Sequence, residues 1–273
     1  DRDPIGTVET LRRLDAAALS GFYQRWYRPE HTMVVVVGDL PAELLERRVV
    51  EAFSSWRAVG PAPARAARRF PDAARAFEVL TRREANVPTI IEACRSRPAD
   101  ALLPDDVASL RRRTASVIWR RVLESRIARA GLAPDSPILS ADVDQSDYSR
   151  EAASSCISVI AADDRWREAL ELSVAELRRL AAHGPTDQEF ENALEEMRSA
   201  YRGAVGATAT RDSVTLAQAV IEGELNGAVT PSPREAFRAY DSAVEDLTPD
   251  EIKAAIARDW AGYGPMVSVI GPN

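Results

Sequence analysis

Apolar positions along this chain recur with two periods, one helical and one strand-like, and the switches between them divide it into elements. Leu11, Leu14, Phe22 and Trp26 share one face of a helix over residues 8–27. Arg28-Pro29 ends that helix, because the residue before a proline is pushed out of the helical region. The run MVVVVGDL from Met33 is continuous, β-branched and closed by Gly38-Asp39, the pattern of a buried central strand. Pro41 suits the first turn of another helix, running to about Trp56 with Leu44, Leu45, Val49 and Phe53 inward. GPAPARAARRFPDAA follows and reads as a linker over residues 61–75, since proline and small residues interrupt both periods.

The pattern restarts near residue 76. Strands are expected over 76–82 and 86–95, then a long helix over 105–130 with Val107, Leu110, Val117, Ile118 and Val122 inward, stopped by Gly131. A strand pair over 137–146 and 151–162 precedes a helix from Asp164 to Ala182, halted by His183-Gly184. Thr186-Asp187-Gln188-Glu189 is a capping box opening the next helix. Helices near 210–225, 233–245 and 248–261 follow, the last again opening on a capping box, Thr248-Pro249-Asp250-Glu251. MVSVIG from Met266 is the final strand. Strands and helices mix without regular alternation, so the fold class is α+β, a mixed sheet packed with helices.

An internal repeat bears on the organisation. LDAAALSGFYQRWYRPEHTMVVVVGDL from Leu14 lies without a gap on LTPDEIKAAIARDWAGYGPMVSVIGPN from Leu247, an offset of 233 residues. Arg25 falls on Arg258, Met33 on Met266, Val34 and Val36 on Val267 and Val269, and Gly38 on Gly271. Duplicated segments mark duplicated structural units. The second copy has a whole domain's length before it and the first has thirteen residues, so the expectation is a chain cut from a longer protein. Residues 1–60 are then the end of a first domain, 61–75 a linker and 76–273 a second domain. The chain opens on Asp1-Arg2-Asp3-Pro4, without a methionine or a signal-peptide pattern, in keeping with that expectation.

Composition narrows the function classes. A formal net charge of −7 argues against nucleic acid or an anionic membrane as the partner. No run of 18 apolar residues is present to make a transmembrane helix. Lys253 is the only lysine beside abundant arginine, which reads as the codon bias of a GC-rich genome. Cys94 and Cys156 lie in strand-like segments; buried free thiols are the simple reading, and a disulfide needs a geometry that sequence does not supply, so the redox compartment stays open.

Candidate chemistry is sparse. His31 and His183 have no partner at helical ligand spacing, and neither H-E-x-x-H nor H-x-x-E-H occurs. Glu30-His31 reads as a solvated turn, and His183 as a helix end where an imidazole meets exposed carbonyls. There is no G-x-S-x-G, no G-x-G-x-x-G and no phosphate loop. Glu195-Glu196 reads as a solvated helix face. Arg111-Arg112-Arg113 sits early in a helix, a poor place for cations, and is expected to pair with nearby acids. No catalytic, metal-binding or substrate-binding residue is assigned.

The segment RDPIGTVETL, followed by FYQRWYRPEHTMVVVVGD, resembles the end of the catalytic domain of bacterial pitrilysin/insulinase-type zinc peptidases. Arg2, Pro4-Ile5-Gly6-Thr7, Tyr27, Pro29 and Gly38-Asp39 carry that likeness, and HGPTDQEFENALEEM resembles a helix start in the family's next domain. The resemblance implies homologous α+β domains of a little over 200 residues each. It also implies a zinc site of an inverted H-x-x-E-H helix plus a downstream glutamate in the first domain, where the motif glutamate acts as base on zinc-bound water. Those positions would precede Asp1, so no catalytic residue carries over, and no match to the family's substrate-contacting Arg/Tyr pair is found. The implied function is the scaffold and substrate-chamber portion of a zinc endopeptidase acting on peptides or small proteins, inactive alone, with zinc in the parent and none in this chain. The alternative is a naturally inactive paralogue serving as a structural or partner-binding subunit. Expected partners are the remainder of the parent or a homologous subunit, a peptide substrate, and a second copy of the chain. The resemblance to large bacterial members suggests the periplasm.

Overall fold

The computed structural model describes residues 6–64, 77–99, 105–148, 152–162 and 165–272. It divides into two units, Asp1–Ala67 with Asp212–Glu222, and Arg68–Arg211 with Gly223–Asn273.

In the first unit, helices α1 (Val8–Arg12), α2 (Ala16–Trp26) and α3 (Ala42–Phe53) appear where the helical period is strongest. The single helix expected over 8–27 is two, because Asp15 caps the second with its carboxylate 2.7 Å from the Ala18 amide. A capping box of Thr7 and Thr10 opens the short first helix. The strand expected from Met33 is not formed: residues 32–37 have no ladder, and Met33, Val34 and Val36 are exposed. An apolar β-branched run becomes a strand only beside another strand, and among the described residues none pairs with it. Arg28 is the one buried side chain among residues 6–64. Its guanidinium donates to Glu30 Oε1 at 2.6 Å, the Val59 carbonyl at 3.0 Å and the Gly60 carbonyl at 2.9 Å. This unit is therefore pinned by a charged staple, while Leu14, Leu19, Phe22, Phe53 and Val50 remain exposed. The linker expected over 61–75 lies outside the described residues beyond residue 64.

The second unit is built on strands β1 (Glu78–Arg83), β2 (Thr89–Pro98), β3 (Ile138–Tyr148), β4 (Ala152–Ala161) and β5 (Tyr263–Gly271). They form one mixed sheet in the order β1-β5-β2-β4-β3. Only β1 and β5 run parallel; the other neighbours are antiparallel. The last strand in sequence thus sits inside the sheet, with Val269 between Thr81 and Ile91. It enters through Gly262 at φ 106°, where any Cβ would fall against the Ser96 carbonyl, so only glycine lets the two backbones approach.

Period-two alternation sorts the sheet's faces. Ile91, Ala93, Val143, Ile157, Val159, Val267 and Val269 point one way and are buried. Against them packs a helical layer of α4 (Val107–Gly131), α5 (Trp166–His183), α6 (Asp187–Gly206), α8 (Pro233–Val244) and α9 (Pro249–Asp259); α7 (Ser213–Asn226), before α8 in sequence, belongs mostly to the first unit. The long helix α4 is central: Ile118, Trp119, Leu123 and Ile127 are fully buried, while Val107, expected inward, is exposed in the first turn. Capping boxes at Thr186, Ser232 and Thr248 open α6, α8 and α9. No helix among the described residues is long and apolar enough to cross a membrane.

Glu189 both closes the α6 capping box and binds Arg126 of α4 through two oxygens, at 2.8 and 2.6 Å. The Arg126 guanidinium, ahead of the Thr186 amide, holds its carboxyl well below the usual range, at about 2. A depressed carboxylate pKa contributes stability above the unfolded value of 4.5, lost as pH falls towards about 2. Thermal melts across that window should show the parent chain losing more stability than Glu189→Gln; parallel losses would refute the coupling. Val269→Asp should cost on the order of 3–5 kcal/mol in denaturant titrations, because it buries an unpaired charge. The amides of Val267 to Ile270 should be among the slowest to exchange, as interior strands open only with global unfolding.

Candidate functional site

Within each unit, the residues that sequence singles out do not converge. His31 ends a short 3₁₀ turn, Pro29–His31, and is exposed; His183 closes α5 in its last turn, also exposed. The triple arginine disperses. Arg111 grips Glu251 through two 2.8 Å bonds and donates to the Ala243 and Asp246 carbonyls, tying α4 to α8 and α9, while Arg113 reaches Asp105 at 3.9 Å. Its pairing with nearby acids is thus as expected. Glu195 and Glu196 pair with Arg198, Arg202 and Arg121 on exposed helix faces. A groove of about 370 Å³ in the first unit, between α2 and residues 59–63, offers Arg25 as its charged group and no nucleophile or carboxylate.

The chemistry that does converge lies on the sheet face turned away from the helices. Strand register sets its rows. Ile270, Ile90, Ile160 and Ser140 form one; Ser268, Glu92, Ser158 and Asp142 the next; Met266, Cys94, Cys156 and Asp144 the third. Glu92, Asp142 and Asp144 are exposed, and Cys156 is buried. Cys94 and Cys156 are directly opposite, with Cα atoms 4.1 Å apart, and are joined as a disulfide. The simple reading of free thiols is thereby corrected. The missing signal was register: each cysteine sits on the same face of its strand, but only the pairing of β2 with β4 places them opposite.

Glu92, Cys94 and Cys156 place one ligand atom each within 4.8 Å of one another, the one group of metal-ligating type among the described residues. With its sulfurs bonded to each other, that group offers a single carboxylate. The described residues therefore do not fit the zinc site of a metallopeptidase, which needs three protein donors around an open position.

The mixed sheet with helices on one face is shared with proteins of known structure, and the sequence has known relatives. The "Peptidase M16 inactive domain" family matches residues 13–100. The chain is 26% identical over 252 residues to the "Probable zinc protease PqqL" of Escherichia coli, covering 91% of this chain and 26% of that protein. It is 26% identical over 287 residues to an uncharacterised zinc protease of Streptomyces coelicolor, covering 99% of this chain and 56% of that protein. Among solved structures, the first half of the periplasmic protease PqqL from Escherichia coli superposes with a TM-score of 0.81 at 21% identity, over 100% of this chain and 58% of that one. The chain is thus similar to pitrilysin/insulinase-type (M16) zinc proteases over nearly its whole length, and residues 13–100 carry the match to the family's inactive domain. It spans about a quarter of one of these curated relatives and just over half of the other.

Proposed function

We propose that this chain is the non-catalytic, chamber-forming portion of a zinc-dependent endopeptidase acting on peptides or small proteins. In this reading residues 1–60 are the end of the catalytic domain, 61–75 a linker and 76–273 the second domain. One observation carries it. Helices α2 and α9 have bounds offset by the same 233 residues as the sequence repeat, so the two copies share a helix but not its sequel. After α9 the chain enters the interior of a sheet; after α2 the equivalent apolar run stands exposed, in a unit whose buried side chain is an arginine. Such a surface calls for the rest of a catalytic domain, which would also bring the zinc ligands.

The Cys94–Cys156 disulfide supports an oxidising compartment, since such bonds are rare where thiols are kept reduced. With the periplasmic description of the Escherichia coli relative, it favours the bacterial periplasm. The test is an assay of the whole protein on unstructured peptides. Hydrolysis abolished by a chelator and restored by zinc is expected, with none from this chain alone. A whole protein without H-x-x-E-H and without hydrolysis would leave the inactive paralogue.

A second expectation concerns the chain by itself. Apolar area favours being covered by roughly 25 cal/mol per Å², and Phe22, Trp26, Met33, Val34 and Val36 offer it together on the first unit. Sedimentation should show concentration-dependent self-association, reduced by Phe22→Ser combined with Val36→Asn. A monomer at every concentration would contradict it.

A further inference from the structure

We propose that Cys94, Cys156 and Glu92 form a redox-gated site for a thiophilic divalent cation of the zinc type, closed while the sulfurs are bonded and opened by reduction. Three observations converge on it. The ligand atoms of the three residues already lie within 4.8 Å of one another. The cysteines occupy directly opposed positions of β2 and β4, so their side chains part by rotation about Cα–Cβ with the backbone ladder kept. Tetrahedral zinc with Zn–S bonds of about 2.3 Å needs sulfurs about 3.8 Å apart, which opposed side chains supply without backbone movement. Finally, Ser154 Oγ, whose hydroxyl donates to the Arg95 carbonyl at 3.3 Å, stands 3.7 Å from Cys156 Sγ, so that turning this hydroxyl would direct it at a thiolate.

Electrostatics supplies the drive. Once reduced, the thiols share their face with Glu92, and Asp144 lies opposite Cys156 in the neighbouring strand. A divalent cation placed among these sulfurs and carboxylates offsets their crowded negative charge, and its binding to cysteine displaces the thiol protons. Two thiolates and a carboxylate select a soft or borderline cation over magnesium or calcium. Glu92 is exposed, so a cation held there is reached from solvent.

The step balances. A dithiol reductant attacks one sulfur of the Cys94–Cys156 bond to give a mixed disulfide. Its second thiolate then closes the reductant's own disulfide, leaving two cysteine thiols. Two electrons pass from reductant to protein. The cation next replaces two protons without further redox change.

Cobalt(II) is the probe, titrated into the intact chain after anaerobic reduction and removal of the reductant. The expected result is stoichiometric binding with a thiolate-to-cobalt charge-transfer band and the visible bands of tetrahedral cobalt, displaced by zinc. The oxidised chain and Cys156→Ser should lack the band. Glu92→Gln should weaken binding at least about tenfold, and Ser154→Ala by on the order of tenfold. Absence of the band in reduced protein whose circular dichroism is still native overturns the proposal. So does equal binding by the oxidised chain, or unchanged affinity in Glu92→Gln. A reduced chain that unfolds and is not refolded by zinc overturns it as well.

Discussion

Asp259 is the interaction around which the second unit is arranged. Its side chain is 1% exposed at the end of α9, immediately before the chain turns into β5. Trp119 Nε1 of α4 donates to it at 2.9 Å, Arg258 Nε at 2.9 Å, and Arg97 Nη2 of β2 lies 3.7 Å away. The Asp259 carbonyl accepts from Ser155 of β4 at 2.8 Å. One residue thus fastens the central helix, the last helix and the two middle antiparallel strands. Burial by itself raises its pKa, but the bonds from Ser116, Trp119 and Arg258 outweigh it and hold the carboxyl ionised, below its usual range. A buried charge left without those partners costs several kcal/mol, so the fold tolerates Asp259 only because α4 and α9 meet at that point. The same junction delivers β5 between β1 and β2, and the sheet order follows from it.

The internal repeat isolates what a strand needs beyond its sequence. Asp15 and Thr248, the two N-caps, stand 233 residues apart, as do the helices they open. Local chemistry alone accounts for both helices, since a cap and a helical period act within a few residues. The following segments, MVVVVG and MVSVIG, are equally β-branched, yet one is an interior strand and the other carries no ladder. Strand formation rests on partners that span the sequence: β5 is held by residues 78–83 and 90–96. The first copy has no such neighbours among the described residues, so its propensity goes unexpressed.

That contrast explains what sequence made legible. The α+β class, the α6 and α9 capping boxes, the pairing of β3 with β4 and the strand at MVSVIG follow from period and local chemistry. The helix break at Asp15 was missed because Leu11 and Leu14 continue an apolar face across it, masking a cap. On α4 the expected inward set began a turn too early at Val107; Ile118 and Val122 are buried as expected, and Trp119, Leu123 and Ile127 share the burial with them. The site was less legible than the fold. The cysteines are 62 residues apart, and their meeting depends on the register of β2 against β4, which no local pattern encodes. The role of Asp259 was equally hidden, because an aspartate in a charged helix ordinarily reads as solvated.

The two units differ most in how they treat exposed surface. In the second, both sheet edges are guarded. Strand β1 is exposed along its length but carries Glu78, Arg82 and Arg83, with Arg82 paired to Glu84 at 2.7 Å. Strand β3 carries exposed Asp142 and Asp144. Charge on an edge disfavours pairing with a foreign strand, so this sheet ends where it should. Among its described residues the first unit has no comparable guard. Its apolar run and the aromatic face of α2 are open, and its buried group is a guanidinium bonded to backbone carbonyls. An arginine staple fixes the path of the chain without removing apolar area from water, so it orders that surface without covering it. A surface held in place yet left apolar is suited to receiving a specific neighbour. The contrast within the chain is therefore physical: one unit closes its own core and edges, and the other holds an apolar face open to solvent.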